Sequence, residues 1–437
     1  MKKFKSSSYE ITENGLLFDV NERPRAIQSI ILAIQHVFAM FGATILVPIL
    51  VNSMAGKEIM TIPIALIASG IGTLIYIICT KKKSPVYLGS SFAFIAPVAA
   101  GYALAGKAGA YTGIMTVGLI YIIVALIIKF TGKKWIDKIL PPIIIGPMIM
   151  IIGLGLAPVA INSIGLDGTS AIVWKNIIVA LATFFAVIIS AIYAKGFFKI
   201  IPFLTGIITG YILAVIFGMV DFTAVKEAAW IAWPSFYVPF VNYTPAFGAL
   251  LTIAPVALVT MAEHIGDHTA LGQIINKDLL KNPGLDRTLL GDGIATFVAG
   301  ALGGPANTTY GENTSVVGMT KVASIFVIGL AAIIAICFGF LGKLTALIGT
   351  IPGPVLGGVS ILLYGFIAVN GLKVLVKNQI DFNKTKNVIV SATMLVLGLG
   401  GAVISISNGN FSLAISGMSL AAIVGIIINL VLKEKEE

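Results

Sequence analysis

Fourteen apolar runs follow one another along the chain, at about 27–51, 60–80, 87–105, 111–130, 139–160, 174–194, 198–218, 245–266, 287–303, 307–320, 322–341, 345–372, 387–407 and 411–432. A helical crossing of a bilayer takes roughly 20 apolar residues, and no soluble domain has use for so many such runs. With 57% hydrophobic and 11% charged residues over 437 positions, the sequence predicts an all-α polytopic membrane protein of fourteen transmembrane segments. Residues 1–26 are polar and charged. We therefore expect no cleavable signal peptide, the first apolar run serving as both signal and first span. Cys79 and Cys337 fall inside apolar runs, so neither a disulfide framework nor a metal site is expected, and no cofactor.

A net charge of +10 would suggest nucleic acid as the partner of a soluble protein. Here topology accounts for it. With the N-terminus in the cytoplasm, 24 of the 29 Lys and Arg residues fall on the inside and only Lys57, Lys107, Lys175, Lys226 and Lys343 outside. That bias fixes an even number of spans with both termini cytoplasmic, and the bilayer rather than nucleic acid as the surrounding partner.

Fourteen divides into two sevens, and because seven crossings are odd the halves must be inverted. The third segment of each half is unusual. The first half has SSFAFIAPV (Ser90–Val98); the second has Asn307–Lys321, NTTYGENTSVVGMTK. The latter is too polar and too short for an ordinary span, and non-helical backbone at that depth survives only where protein or a water-filled cavity satisfies it. The fifth segments share a Pro-x3-Gly-x6-Gly pattern, Pro142, Gly146, Gly153 and Pro354, Gly358, Gly365, which ordinary helix kinks would also explain.

Charged residues inside a membrane are expensive and need a reason. Glu263, Asp267, Asp292 and Glu312 are the four that stand out. Glu263 and Asp267 are one helical turn apart and share a face. Two carboxylates that close resist joint ionisation, and a site that binds and releases a proton is what a proton-coupled carrier needs. The bland alternative is a solvated cytoplasmic end for Asp267 and His268. Glu312 follows Gly311, where the backbone can approach a ligand closely; an acceptor-rich pocket of this kind suits a neutral planar ring bearing N–H groups, whereas the alternative is a cap on the half-helix that follows. Phe92 offers a stacking face or is an ordinary core phenylalanine, its place in the matching broken segment favouring the former. Asp292 serves either a proton path or a brace, Tyr310 and Tyr364 either the cavity or packing, and the Gln35–His36 pair most simply braces helices. Gly101–Lys107 (GYALAGK) imitates a phosphate-binding loop but is followed by Ala108 and ends an apolar run. With no nucleotide-binding domain and no nucleophile–base pair, the chain reads as a secondary carrier and not an enzyme.

The stretch Glu312–Lys321 (ENTSVVGMTK) resembles the signature of the nucleobase–ascorbate transporter family. So do QHVFAMFGATILVP at Gln35–Pro48, YLGSSFAFIAPV at Tyr87–Val98, AEHIGDH at Ala262–His268, NTTYGEN at Asn307–Asn313 and VLGGVSILLYGFIAVNG at Val355–Gly371. These blocks cover most of the chain, and it looks most like the family's bacterial uracil-transporting branch. The resemblance implies two inverted repeats of seven with short antiparallel strands in segments three and ten. It implies a core domain (27–130 and 245–341), a gate domain (131–218 and 345–432) and an extracellular loop (219–244) between the repeats. It also implies uracil–proton symport into the cell across the bacterial inner membrane, by elevator-type motion in a homodimer. Substrate contacts carry over to the side chains of Glu263 and Glu312 and the backbone of Phe92 and Gly311, with Tyr310 and Tyr364 lining the site and Glu263, Asp267 and Asp292 handling the proton. Two positions depart from the pattern. Ser315 replaces a Gly, which either stiffens the half-helix or alters its packing. Asp267 stands where the uracil branch has His and resembles the purine-carrying branch, so a proton-coupled xanthine or purine permease is the alternative. Glu rather than Gln at 312 favours uracil, which presents two N–H donors.

Overall fold

The computed structural model describes residues 15–169, 171–408, 411–415 and 417–432; the expected basic positions 2, 3, 5, 433 and 435 lie outside them. The first half runs through α1 (Ala26–Ala55), α2 (Ile62–Cys79), β1 (Leu88–Ser90), α3 (Ile95–Thr131), α4 (Pro142–Gly155), α5 (Trp174–Tyr193) and α6 (Pro202–Ile216). The second comprises α7 (Val256–Ile274), α8 (Leu285–Leu302), β2 (Asn307–Thr309), α9 (Gly311–Thr320), α10 (Ile325–Gly339), α11 (Gly353–Lys377), α12 (Thr385–Leu399), a hairpin of β3 (Ile404–Asn408) and β4 (Phe411–Ile415), and α13 (Gly417–Val431). Seven of the described helices are long and apolar enough to cross a membrane, and four shorter ones are comparably apolar. Proline opens α2, α4, α6 and α11, where its missing N–H costs nothing. Gly56 and Gly303 end α1 and α8 in the left-handed conformation.

Several expected limits shift for physical reasons. The third and fourth apolar runs part at Ala105 and Gly106, where the backbone of α3 leaves helical geometry. The eighth run does not stop at 266: α7 begins after Pro255 and continues to Ile274, because its polar residues find buried partners. The thirteenth and fourteenth runs are not helical throughout. Residues 404–408 and 411–415 pair as antiparallel strands, in keeping with the alternation of ISIS and FSLAI on either side.

The helices pack as two groups. In one, α8 lies against α3 and α2, and α10 against α2 and α1. A Cβ on Gly118 would stand 2.5 Å from Phe297 N and 2.6 Å from Gly293 O, so this crossing is a backbone-to-backbone approach. In the other, α11 packs against α4, α5 and α6, and α12 and α13 against α4. The repeated glycine pattern belongs to this second group: Gly146 meets Gly371 O at what would be 3.1 Å from a Cβ, and Gly153 abuts Tyr364 and Ala368.

Candidate functional site

The two broken segments meet. β1 and β2 are antiparallel, with Leu88 opposite Thr309, Gly89 opposite Thr308 and Ser90 opposite Asn307. Ser91 N donates to Ala306 O (2.9 Å) and Tyr310 N to Tyr87 O (3.1 Å), lengthening the ladder at both ends. Polar side chains of neighbouring helices satisfy its outer edges. The Ser69 hydroxyl donates to Leu88 O (2.7 Å), Thr73 Oγ1 accepts from Leu88 N (2.9 Å), and Thr296 Oγ1 donates to Asn307 O (3.1 Å). Asn307 Nδ2 donates to Ala68 O at 3.1 Å. A ladder this short lasts in an apolar interior only where its outward backbone groups find such partners.

Past the ladder both chains turn into helix, at Phe92 and at Gly311, and both turns open on a cavity of about 450 Å³. Glu263 and Asp267 enter from α7, Thr308 and Thr309 from β2, Glu312 and Ser315 from α9, and Phe92 from the first half. The far wall is α11, with Leu363, Phe366 and Asn370, and Lys199 and Lys373 stand among the lining residues. The cavity is thus acidic and polar on the ladder side, while the opposite wall mixes apolar side chains with Asn370 and Lys373. Thr309 Oγ1 donates to Asp267 Oδ2 at 2.5 Å, whereas Glu263 Oε2 is buried with no partner at hydrogen-bonding distance among the described residues. Nothing lies within 4 Å of where a Gly311 Cβ would be, so the backbone there borders open space.

Six of the expected site residues, Glu263, Asp267, Glu312, Phe92, Tyr310 and Gly311, come together on this cavity. Tyr310 holds the wall: its hydroxyl donates to Ser90 O (3.0 Å) and accepts from Thr44 Oγ1 (3.1 Å). Tyr364 is buried behind Phe92, with ring centroids 6.1 Å apart and edge to face. Asp292 is buried away from the lining and takes a 2.7 Å contact from His264 Nδ1. His36 meets Asn313 Nδ2 through both its ring nitrogen and its carbonyl, at 3.1 Å each, which is bracing of α9 by α1. At the departure, the Ser315 hydroxyl donates back to Gly311 O at 3.0 Å within α9.

Asp267 and His268 are not at a solvated end. Asp267 faces the cavity, and His268 is fully buried. The histidines of α7 form a second one-turn pair, rotated by one residue from Glu263 and Asp267 and turned into the protein. Their rings stack at 4.0 Å. His268 Nδ1 faces the carbonyl of His264 (2.7 Å) and donates to it, while Nε2 lies 2.5 Å from Tyr76 Oη, which also bonds Ser84 Oγ at 2.9 Å. The spacing in AEHIGDH carries this signal; Asp292 stands out in the sequence as a charge, but its pairing with His264, and that of Tyr76 with His268, does not. Lys199 and Lys373 read in sequence only as topology markers.

Residues 27–406 match the permease family. The chain is 46% identical over 423 residues to the uracil permease of Bacillus caldolyticus, covering 96% of this chain and 95% of that protein. It is 47% identical over 424 residues to the uracil permease of Bacillus subtilis, covering 96% and 95%, and 42% identical over 417 residues to that of Escherichia coli K12, covering 95% and 93%. Among solved structures, the transmembrane domain of the cyanobacterial bicarbonate transporter BicA aligns with a TM-score of 0.58 at 17% identity, over 94% of this chain and 99% of that one. Murine Solute Carrier 26 family member A9, an anion transporter in its inward-facing state, aligns with a TM-score of 0.66 at 12% identity, over 99% and 73%. At these identities the structural likeness speaks to the fold alone, a helical transporter fold.

Proposed function

Because the chain belongs to the permease family, and within it to the nucleobase–ascorbate transporters, it is a membrane transport protein rather than an enzyme, and we propose that it carries uracil into the cell together with a proton. The observation that carries this reading is the convergence of Glu263 and Glu312, from two separate elements, on one cavity beside the Phe92 and Gly311 turns. In this reading the two carboxylates accept the ring N–H groups, and the free backbone amides at the helix starts meet the ring carbonyls. The Phe92 ring covers a face. Asp267, with the Thr309 hydroxyl on it, exchanges the coupling proton with Glu263, and Asp292 sets the far end of that path through His264.

The accompanying architecture has fourteen segments in two inverted sevens. The α1–α3, α7–α10 group forms the core and the α4–α6, α11–α13 group the gate. The core slides as an elevator against the gate, in a homodimer in the bacterial inner membrane with both termini cytoplasmic. Lys373, toward the end of α11, and Lys199, just ahead of α6, fall on the basic, inner side of this topology, so the cavity lined by them opens toward the side of release.

One residue favours a second reading. Asp267, in place of the branch's His, lies in the cavity, which suits a xanthine or purine carrier. Labelled uracil uptake into proteoliposomes under an inward proton gradient, with excess unlabelled xanthine, decides. Gradient-dependent uptake indifferent to xanthine supports uracil symport; uptake abolished by xanthine favours the purine reading; no uptake from folded protein refutes both the substrate and the coupling.

A further inference from the structure

The residues ahead of α1 are built into the fold. Leu17 N and Phe18 N both donate to Lys321 O, at 2.7 and 3.3 Å, while Ala323 N donates to Phe18 O and Ile325 N to Val20 O, each at 2.9 Å. This is a short parallel pairing, Phe18 beside Val322. Lys321 is the residue that ends α9, in the left-handed conformation. Leu16 and Val20, 0% and 2% exposed, bury their side chains in a cluster with Leu271, Ile275 and Val317, from the end of α7 and from α9. The ammonium of Lys277 bonds both oxygens of Asp19 at 2.7 Å, and Lys277 N closes the turn after α7 on Gly272 O at 2.8 Å. Ser324 Oγ donates to Glu22 O (2.6 Å), and the Arg23 guanidinium lies 4.1 Å over the Phe326 ring.

The segment therefore ties the end of α7 to the end of α9 and to the start of α10. These are the elements that present Glu263 with Asp267, and Glu312. α9 has only ten residues, too few to be a stable helix unaided, and its other end hangs on the three-residue strand β2. We propose that Leu16–Arg23 is a strap that sets the spacing between the two carboxylate-bearing elements, with Asp19 and Lys277 as positioning residues for substrate binding. This rests on the reading that Glu263 and Glu312 grip one ring. Two acceptors serve a rigid ring well only at a fixed separation, and a separation that must be re-established at each binding event weakens affinity without touching the chemistry. Neither Asp19 nor Lys277 lines the cavity.

The test measures uracil uptake kinetics in proteoliposomes for D19N, K277Q and the charge-swapped D19K/K277D protein. D19N and K277Q are each expected to raise KM about two- to fivefold, the fold-change of a partly exposed ion pair, with maximal velocity near that of the parent. The swap is expected to restore KM. An unmoved KM in both folded single variants, a rise in one only, or a rise that the swap does not reverse overturns the proposal. If a single variant does not fold, the swap still decides: recovery of fold and KM supports the strap, and failure to recover overturns it. Should the parent protein bind no uracil, the substrate reading has failed, and amide hydrogen exchange across Gly311–Thr320 becomes the readout. Faster exchange in D19N supports the strap; equal exchange overturns it.

Discussion

Gly89 lies beneath the Tyr310 ring, and that contact tests whether the strand ladder shapes the site. A methyl group at 89 would overlap Cζ and Cε2 of the ring and stand 2.8 Å from Oη. The ring has no free direction of escape. Its hydroxyl is held by Ser90 O and Thr44 Oγ1, and the side chain is 3% exposed. Overpacking of this kind costs about 1–3 kcal/mol, and a ring pushed off its two hydrogen bonds loses about 1 kcal/mol for each, so G89A should lose roughly 3–5 kcal/mol. The displaced ring carries the backbone of Gly311 with it, so uracil affinity falls as well. The assay is thermal unfolding and equilibrium uracil binding on purified G89A, Y310A and the double variant. Y310A alone opens a cavity costing about 3–5 kcal/mol. In the double variant the added methyl has room, so the two losses must be well short of additive. A G89A protein that unfolds and binds like the parent, or losses that simply add, would refute the reasoning.

E312Q is expected to fold normally and lose at least about tenfold in uracil affinity, since a hydrogen bond to a charged acceptor contributes about 1.5–3 kcal/mol; isothermal titration reads it, and equal affinity removes Glu312 from the site. D267N should flatten the pH dependence of uptake, and a profile identical to the parent's takes Asp267 out of proton exchange. G311A meets no steric obstacle and should unfold at the parent temperature while its methyl enters the cavity and weakens uptake; parent-like uptake would show that no ligand approaches that backbone. Outside the membrane, burial raises the Asp19 carboxyl, but the Lys277 ammonium and the Val20 amide outweigh it and hold it below its ordinary value. Its contribution is thus present above the ordinary carboxylate range and lost as pH falls through the lowered value. Because both groups are partly exposed, that contribution is below about 1 kcal/mol, so acidification below about pH 4 should destabilise the parent slightly more than D19N in unfolding scans.

Much of this was legible in the chain because membrane depth makes polarity conspicuous. Asn307–Lys321 declared itself as a broken segment because nothing so polar spans a bilayer, and the one-turn spacing of Glu263 and Asp267 put both on the face that the structure turns to the cavity. Contacts between distant residues were hidden. The solvated end that the sequence allows for Asp267 and His268 is excluded only by distant partners, Thr309 beside Asp267 and Tyr76 beside His268. The hairpin of β3 and β4 was absorbed into two helical runs, since composition counted its isoleucines and overlooked their alternation. The strap was invisible because its pairing with Lys321–Ile325 uses backbone groups that any sequence possesses.

The ladder also bears on how such a chain is made. Ser90 O takes its hydrogen bond from Tyr310, 220 residues later, and Gly89 waits equally long for Thr308. Until synthesis reaches those residues, β1 has half its backbone bonds and no second strand, in a solvent that offers no substitute. The first half can therefore form its long helices but cannot complete β1 alone. A nascent chain must keep that segment wet or shielded until the second half arrives, and a cysteine in place of Ser90, buried in the finished fold, should stay open to a water-borne thiol reagent in chains stopped before Asn307 and close in the full-length protein.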